Sequence, residues 1–306
     1  MTAMDSYPIG TAGCRWGEQE RAAWRARQPR RRSYDENVVA RIEALADRFE
    51  KIAYGQLDYA DGAYSLYALR GRPIDPGLPT ALITGGVHGY ETSGVLGAFA
   101  FLENHASDYA AKINLLVVPC VSPWGYERIN RWNFDAVDPN RNFRPGGPSP
   151  EATALREFVN AASDRYVLHI DLHETTDSDE SEFRPALSAR DGRIFEAEAV
   201  PDGFYLVADS ADRELAFQQA IISAVERVTH IAAPDAAGKI IGSPVIAPGV
   251  IEYPMAELAL CTSITGARFK TTTEVYPDSV HATPDICVRA QVTAVCAALD
   301  FALAHA

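Results

Sequence analysis

The chain alternates between two hydrophobic patterns, which predict buried strands and amphipathic helices in turn. Continuous apolar runs at 80–86, 113–123 and 166–173 are typical of strands buried in a parallel sheet. Between these runs, apolar residues recur every three or four positions, as amphipathic helices require. The pattern predicts helices over 34–50, 92–106, 150–163, 213–232 and 283–306, and two further strands over 64–71 and 267–277.

This alternation of strands and helices predicts an α/β fold, a mostly parallel mixed sheet with helices on both faces. No linker is long or polar enough to divide the chain, so residues 33–306 are expected to form a single domain. Residues 1–32 are polar and lack periodicity, which predicts an irregular N-terminal extension. A basic cluster at its end is interpreted as a solvated linker. The cluster comprises Arg25, Arg27, Arg30, Arg31 and Arg32.

The composition makes several classes of partner unexpected. With 28 Lys and Arg against 41 Asp and Glu, the chain of 306 residues has a net charge of −13, so neither nucleic acid nor an anionic membrane surface is expected as a partner. Its five cysteines are widely spaced without a CxxC pair, which indicates free thiols in a reducing compartment. No signal peptide and no apolar stretch of about 18 residues is apparent, so a cytoplasmic location is expected.

Three polar side chains lie near the predicted carboxyl ends of two buried strands. His88 and Glu91 follow the first run in a glycine-rich bend, and His173 ends the third run. Ligands bind at this edge of a parallel sheet, and two histidines with one carboxylate suit a catalytic zinc ion. Asp171 shares a strand face with His173, so we expect it to support that histidine from behind. The sequence therefore predicts one zinc ion bound by His88, Glu91 and His173.

Four motifs together resemble the zinc carboxypeptidase superfamily. They are HGYE at 88–91, DPNRNF at 138–143, DLHET at 171–175 and TTTEVYP at 271–277. The superfamily includes the carboxypeptidase A-like peptidases and the aspartoacylase and succinylglutamate desuccinylase branch, to which DLHET is more similar. The resemblance implies a zinc carboxypeptidase-like catalytic domain over 33–306, with the same three zinc ligands.

The resemblance also implies a set of substrate-binding residues. In the superfamily an Asn-Arg pair holds the substrate carboxylate, which corresponds to Asn140 and Arg141. A guanidinium grips a carboxylate through two charge-assisted hydrogen bonds, so these residue types suit the role. An upstream arginine polarises the scissile carbonyl, for which Arg131 is the nearest match and Arg128 the alternative. The tyrosine that covers the substrate in the peptidases corresponds most closely to Tyr253.

The general base of the superfamily is a glutamate on a late strand. Glu274 in TTTEVYP fits this role, because alternation places it on one strand face near the strand's end, and Glu252 in GVIEYP is the alternative. The implied task is to take a proton from zinc-bound water and return it to the leaving amine. The acidic segment 175–183 is interpreted as a solvated loop, which would disfavour polyanionic substrates if it lined the mouth of a cleft.

These residues predict a zinc-dependent hydrolase that acts beside a substrate carboxylate. The expected activity is that of a metallocarboxypeptidase on a small peptide with a free carboxylate. One alternative is hydrolysis of an N-acyl amino acid, as in the aspartoacylase and succinylglutamate desuccinylase branch. Another is an inactive protein that binds carboxylates, which usually lacks the base or a metal ligand. All candidate positions are occupied here, so an enzyme is expected.

Overall fold

The structure is a computed structural model that describes residues 7–305. The helices within this range are α1 (Glu18–Arg25), α2 (Ala40–Ala44), α3 (Thr92–Asn104), α4 (Pro123–Arg128), α5 (Pro150–Ala162), α6 (Arg184–Asp191), α7 (Leu215–Val225) and α8 (Pro284–His305). The strands are β1 (Phe49–Tyr59), β2 (Gly62–Gly71), β3 (Thr80–Gly85), β4 (Asn114–Val118), β5 (Tyr166–Glu174), β6 (Tyr205–Asp209), β7 (Lys239–Ile240), β8 (Ser243–Pro244), β9 (Val250–Tyr253) and β10 (Phe269–Val275).

An eight-stranded sheet in the order β1-β2-β4-β3-β5-β10-β6-β9 forms the centre of the fold. The four strands β4, β3, β5 and β10 are parallel neighbours, so their carboxyl ends meet at one edge of the sheet. On either side, β2 and β6 run antiparallel to this central group. The predicted α/β fold with a mostly parallel mixed sheet is confirmed. The three continuous apolar runs form β3, β4 and β5, and β3 lies between the other two.

Helices cover both faces of this sheet, because the central strands are apolar on both sides. On one face α3, α7 and α8 pack together, and Ile83 and Ile170 join their core. On the other face lies α5, whose Leu155 packs with Leu82 and Leu116. Successive residues of β3 thus enter two different cores, which explains why this strand has a continuous apolar sequence.

The long helix α8 closes one face of the sheet. By length and composition it could cross a membrane, with a mean hydropathy of 1.6 over its most apolar window, so the expectation that no stretch would reach this length is wrong. In the structure 44% of that window is buried, and the helix packs against α3 and α7. Its fully buried Gln291 accepts a hydrogen bond from Thr273 of β10 and donates one to the main-chain oxygen of His173 in β5. The helix therefore serves as a core element of the fold.

The segment 34–50, predicted as one helix, divides into a short helix and the start of a strand. A π-helical turn at Asp35–Val39 continues into α2, and β1 begins at Phe49. Most side chains of β1 are at least partly exposed, so this strand lacks the continuous apolar pattern of the buried strands. Its structure is decided by pairing with β2 along the whole hairpin, a contact that local periodicity does not reveal.

The N-terminal extension is ordered by aromatic packing over its described part, residues 7–32. Helix α1 lies where an irregular chain is predicted, and both Trp16 and Trp24 are buried. Trp24 packs against Trp132 with 5.6 Å between ring centroids. Two isolated tryptophans produce no periodic pattern, so the sequence does not indicate this helix. The domain boundary at residue 32 stays a prediction, and residues 1–6 lie outside the described range.

The basic cluster of the extension is solvated only in part: Arg27 and Arg31 are exposed, whereas other members contact the body of the protein. Arg25 donates a 2.8 Å hydrogen bond to the main-chain oxygen of Phe134, and Arg30 pairs with the buried Glu127. Arg32 is partly buried and makes three hydrogen bonds to residues beside the candidate site. These contacts fasten the extension to the body of the protein.

Candidate metal centre and substrate cleft

The topology brings the two predicted ligand segments together. After β3 ends at Gly85, the chain bends and carries His88 and Glu91 to the start of α3. The neighbouring strand β5 places Leu172 opposite Gly85, so His173 lies at the same edge of the sheet. The fold therefore brings the segments that carry His88, Glu91 and His173 to the same edge of the sheet, as their places after the two strands predict.

His88, Glu91 and His173 form one buried cluster, with a potential ligand atom from each within 4.8 Å of the others. The Nδ1 atom of His88 lies 2.7 Å from Glu91 Oε1, and Nδ1 of His173 lies 2.8 Å from Glu91 Oε2. The two imidazole rings are 5.0 Å apart between centroids and inclined at 76°. The same nitrogen of each ring therefore faces the same carboxylate, although the role of the three residues as ligands stays a prediction.

The electrostatics of this cluster fit a cation. Burial alone would raise the pKa of Glu91, but His173 and His88 outweigh it and lower the pKa to about 2. Burial would lower the pKa of His173, yet Glu91 and Asp171 raise it well above its ordinary value. The cluster thus favours positive charge at its centre, and its two imidazoles and one carboxylate suit zinc.

Two aspartates hold the outer nitrogens of the imidazole rings. Asp171 Oδ2 lies 2.6 Å from His173 Nε2, as the strand spacing leads one to expect. Asp138 Oδ1 lies 2.9 Å from His88 Nε2. Burial would raise the pKa of Asp138, but Arg131 and His88 hold it well below its ordinary value. Carboxylates in these positions favour the tautomer with the proton on Nε2, which leaves Nδ1 available to a metal.

The bend that carries His88 and Glu91 is held from two sides. On one side, a Cβ atom at Gly89 would lie 1.9 Å from the main-chain carbon of Gly125, so only glycine fits. On the other side, Arg32 donates a 2.6 Å hydrogen bond to the main-chain oxygen of Gly89. The same guanidinium also donates to the first residue of α3 at 2.9 Å and to a main-chain oxygen of α4 at 2.7 Å. The extension therefore helps to fix the shape of the candidate ligand bend.

Asn140 and Arg141 lie in a short 3-10 turn that lines the cleft. The amide oxygen of Asn140 accepts a 2.8 Å hydrogen bond from the Cys261 main-chain N–H. Its amino group is thereby turned toward His173, with 3.4 Å between Nδ2 and the imidazole Nε2. Arg141 is exposed, and no carboxylate in the described range forms an ion pair with it. Both side chains line the cleft, and their role in binding a substrate carboxylate stays a prediction.

Glu274 enters the cleft from β10, where it lies opposite His173 in the parallel register. Thr175 donates a 3.0 Å hydrogen bond to Glu274 Oε2, and the hydroxyl of Tyr205 lies 2.7 Å from that of Thr175. Burial raises the pKa of Glu274 to about 7. A carboxylate with this pKa can accept and return a proton near neutral pH.

Both alternatives that the sequence leaves open lie outside the cleft. Glu252 is paired with Arg213, and Arg128 is paired with Asp61 at 2.5 Å. By contrast, Arg131 lines the cleft and contacts two of its aspartates at 3.0 and 3.1 Å. Burial would lower the pKa of Arg131, but these charges raise it well above its ordinary value. The geometry thus favours Glu274 and Arg131, whose roles in catalysis remain predictions.

The three candidate metal ligands line one cleft of about 760 Å³ together with Arg131, Asp138, Asn140, Arg141 and Glu274. Tyr253 reaches it from the end of β9, and burial raises the pKa of its phenol. The acidic segment 175–183 is not wholly solvated, because Asp179 also lines the cleft. This aspartate is paired with Arg131 at 3.0 Å, so its charge is offset there.

Three residues of the site were not found from the sequence. Asp138 and Thr175 stand inside the motifs DPNRNF and DLHET, so their place beside other site residues was a signal that could have found them. Arg32 gave no such signal, because its contact with Gly89 joins segments that are 57 residues apart.

Residues 77–201 match the family described as the succinylglutamate desuccinylase/aspartoacylase catalytic domain. The matched range includes His88, Glu91 and His173, whereas Tyr253 and Glu274 lie beyond it. No curated protein matches the sequence.

Solved structures of similar fold extend the likeness over most of the chain. A candidate metallopeptidase from Shewanella amazonensis is 21% identical with a TM-score of 0.66, covering 88% of this chain and 91% of its own. Carboxypeptidase A from Helicoverpa armigera is 16% identical with a TM-score of 0.60, covering 94% and 80%. A metallo-carboxypeptidase from Pseudomonas aeruginosa, in complex with (2-guanidinoethylmercapto)succinic acid, is 16% identical with a TM-score of 0.58, covering 88% and 69%.

These findings confirm the resemblance to the zinc carboxypeptidase superfamily, with features of the aspartoacylase and succinylglutamate desuccinylase branch. The structural likeness at such low identity shows the fold, which is carboxypeptidase-like. The matched family and the similar proteins are hydrolases, which supports a metal-dependent hydrolase here.

Proposed function

We propose, on the premise of this carboxypeptidase-like hydrolase fold, that the chain is a zinc-dependent metallocarboxypeptidase. Its reaction would be hydrolysis of a peptide or amide bond beside the free carboxylate of a small substrate. The observation that carries the proposal is the convergence of His88, Glu91 and His173 within 4.8 Å, in a cleft shared with Glu274 and Arg141. A metal ligand set, a carboxylate base and an unpaired guanidinium are the parts that this reaction needs.

Each side chain has one task in this proposal. A zinc ion bound by the three ligands would polarise the scissile carbonyl and acidify a water molecule. Glu274 accepts the proton of the attacking water and returns it to the leaving amine, for which its raised pKa is suited. Arg141 and Asn140 grip the substrate carboxylate and thereby orient the scissile bond. Arg131, which lines the same cleft, would stabilise the oxygen on which negative charge develops.

Hydrolysis of an N-acyl amino acid is the second candidate function. The family match over residues 77–201 favours it, because that family is described by a desuccinylase and an aspartoacylase. The similar solved structures favour the carboxypeptidase, and one of them holds a derivative of succinic acid. Both reactions use the same metal site, base and carboxylate grip, so they differ only in the group on the acyl side of the scissile bond.

A direct comparison of substrates tests the proposal. Zinc-loaded protein is supplied with C-terminally free dipeptides and, separately, with N-acyl amino acids, and the released amino acid is quantified. Hydrolysis of the dipeptides is expected, whereas activity confined to N-acyl amino acids would establish the second function instead. Binding of either class without turnover would indicate an inactive carboxylate-binding protein. Elemental analysis of the purified protein is expected to find one zinc ion per chain.

A further inference from the structure

We propose that Thr84 is a positioning residue for the candidate metal centre, acting through Asp171 on His173. The inference rests on the proposed function and adds to it a residue that touches neither the metal nor the substrate. Thr84 belongs to β3, is completely buried and does not line the cleft. Its side chain can therefore influence the reaction only through the residues that it contacts.

The register of the sheet places Thr84 directly beside Asp171. The two residues are paired neighbours on the parallel strands β3 and β5, so their side chains point to the same face of the sheet. Leu82 and Val118, which flank Thr84 on that face, belong to an apolar core. A hydroxyl placed among such side chains lowers stability unless it is hydrogen-bonded.

The hydroxyl of Thr84 belongs to a chain of hydrogen bonds that ends at a candidate ligand. Thr84 Oγ1 donates a 2.6 Å hydrogen bond to Asp171 Oδ1. The other oxygen of the same carboxylate, Oδ2, lies 2.6 Å from Nε2 of His173. A carboxylate that is held at only one oxygen can rotate about its bond to Cβ. The bond from Thr84 therefore sets the direction in which Oδ2 faces the imidazole.

The buried His169 contacts Thr84 from the other side and fixes the direction of this chain. Its Nε2 atom lies 3.2 Å from Thr84 Oγ1, and its Nδ1 atom lies 3.4 Å from the hydroxyl of Thr265. Burial lowers the pKa of His169 to about 4, so the ring is neutral near neutral pH and carries one proton. Since Thr84 has a single proton and donates it to Asp171, its oxygen accepts the proton on Nε2 of His169. Both donors in the chain then point toward Asp171.

Cys261 connects the same chain to Asn140, which is expected to bind the substrate carboxylate. The thiol of Cys261 lies 3.6 Å from Thr84 Oγ1, and its main-chain N–H donates the hydrogen bond that orients Asn140. The amino group of Asn140 lies 3.4 Å from Nε2 of His173. These contacts close a ring through Asn140, Cys261, Thr84, Asp171 and His173. Thr84 thus lies in a buried network that joins a candidate metal ligand to a candidate substrate-binding residue.

The substitution Thr84→Val tests the proposal, because valine has nearly the same shape as threonine and lacks the hydroxyl. We expect the zinc affinity of this variant to fall about tenfold, as when a group that supports a ligand is lost. Competition with a chromophoric chelator measures the affinity. Thr84→Ser keeps the hydroxyl and should bind zinc as tightly as the unaltered protein.

A spectroscopic signal of His173 provides a second readout, which a change in packing alone would not move. The N–H group of its imidazole is observed by NMR in zinc-loaded protein whose histidines carry labelled ring nitrogens. In Thr84→Val this signal should shift or broaden, because Asp171 no longer holds the proton in one direction. In Thr84→Ser the signal should stay where it is in the unaltered protein.

The matched control is Thr80→Val, at the first residue of the same strand. Thr80 is also buried, and its hydroxyl lies 3.1 Å from that of Ser163, outside the cleft. This variant should keep both the zinc affinity and the His173 signal. If affinity and signal were unchanged in Thr84→Val, the positioning role would be overturned. Equal losses in Thr84→Ser or in Thr80→Val would overturn it as well, because they would trace the effect to packing.

Neither readout needs turnover, so the inference and the proposed function can fail separately. Zinc-loaded protein that hydrolyses none of the tested substrates would overturn the proposed function, while the zinc affinity of Thr84→Val would still decide the role of Thr84. If the unaltered protein bound no zinc, both proposals would be overturned.

Discussion

Glu274 is the residue on which the proposed chemistry depends most directly. The substitution Glu274→Gln is expected to lower kcat by about 10²- to 10⁴-fold, because an amide cannot accept the proton of the attacking water. Zinc binding should be retained, since Glu274 is not one of the three clustered ligands. Steady-state kinetics combined with elemental analysis of the variant measures both effects.

The matched control for this substitution is Glu252→Gln. Glu252 is paired with Arg213 outside the cleft, so its loss should leave kcat within about twofold of the unaltered protein. If Glu274→Gln turned over substrate at the original rate, another group would have to be the base.

The raised pKa of Glu274 also predicts the acidic side of the pH profile. A base acts only when it is ionised, so kcat/KM should fall as the pH falls through the pKa of this group. Burial sets that pKa at about 7, and a nearby zinc ion stabilises the carboxylate and moves the fall to lower pH. Rates measured from about pH 5 to pH 8 should show this limb. A flat profile over that interval would contradict the assignment.

At the scale of elements, the sequence predicts those strands and bends whose surroundings can be inferred from residues close together in the chain. The strands β3, β4 and β5 were predicted because burial on both faces makes each a continuous apolar run. The bend that follows β3 was predicted because its glycines, His88 and Glu91 are close in sequence. By contrast, β1 is partly exposed, so its residues show no such run.

Other features depend on contacts between distant segments and were not accessible in this way. The amide of Asn140 is oriented by the main chain of Cys261, 121 residues away. The clamp of Arg32 on Gly89 joins the N-terminal extension to the candidate ligand bend. Residue types and spacing indicate which side chains belong to the site, and packing between elements decides how they are held.

The hydrogen bonds that Arg32 donates to the bend carrying His88 and Glu91 lead to a prediction for Arg32→Lys. Lysine keeps the charge but has one nitrogen in place of the guanidinium fork, so it cannot bond Gly89, Thr92 and Tyr126 together. We expect zinc affinity to fall by about 10- to 100-fold, as when a group that supports a ligand is lost. Competition with a chromophoric chelator measures this affinity.

Arg30→Lys serves as the control, because Arg30 contacts Glu127 and makes no hydrogen bond to the bend. Its zinc affinity should be unchanged. An Arg32→Lys variant that binds zinc as tightly as the unaltered protein would show that the clamp does not hold the metal site.

For the whole molecule, we expect metal binding to contribute to stability. The cluster of His88, Glu91 and His173 joins β5 to the bend before α3, so an ion bound there ties two parts of the fold together. At a free zinc concentration 1,000-fold above Kd, binding to the folded state alone adds about 4 kcal/mol to the free energy of unfolding. Calorimetric melting should therefore show a lower Tm after chelation and recovery when zinc is restored. The Tm of the variant His173→Ala should stay the same when zinc is added. If chelation left the Tm of the unaltered protein unchanged, metal binding would not contribute to its stability.

The buried Gln291 of α8 has a consequence for the order in which the protein is made. This one side chain bonds both the carbonyl of His173 and the hydroxyl of Thr273, and thereby holds two strands of the site together. It belongs to a segment that is translated more than a hundred codons after the last candidate ligand. A ribosome must therefore synthesise past codon 291, and the nascent chain must leave the exit tunnel, before this brace can form. We expect newborn polypeptides to lack hydrolytic activity until then.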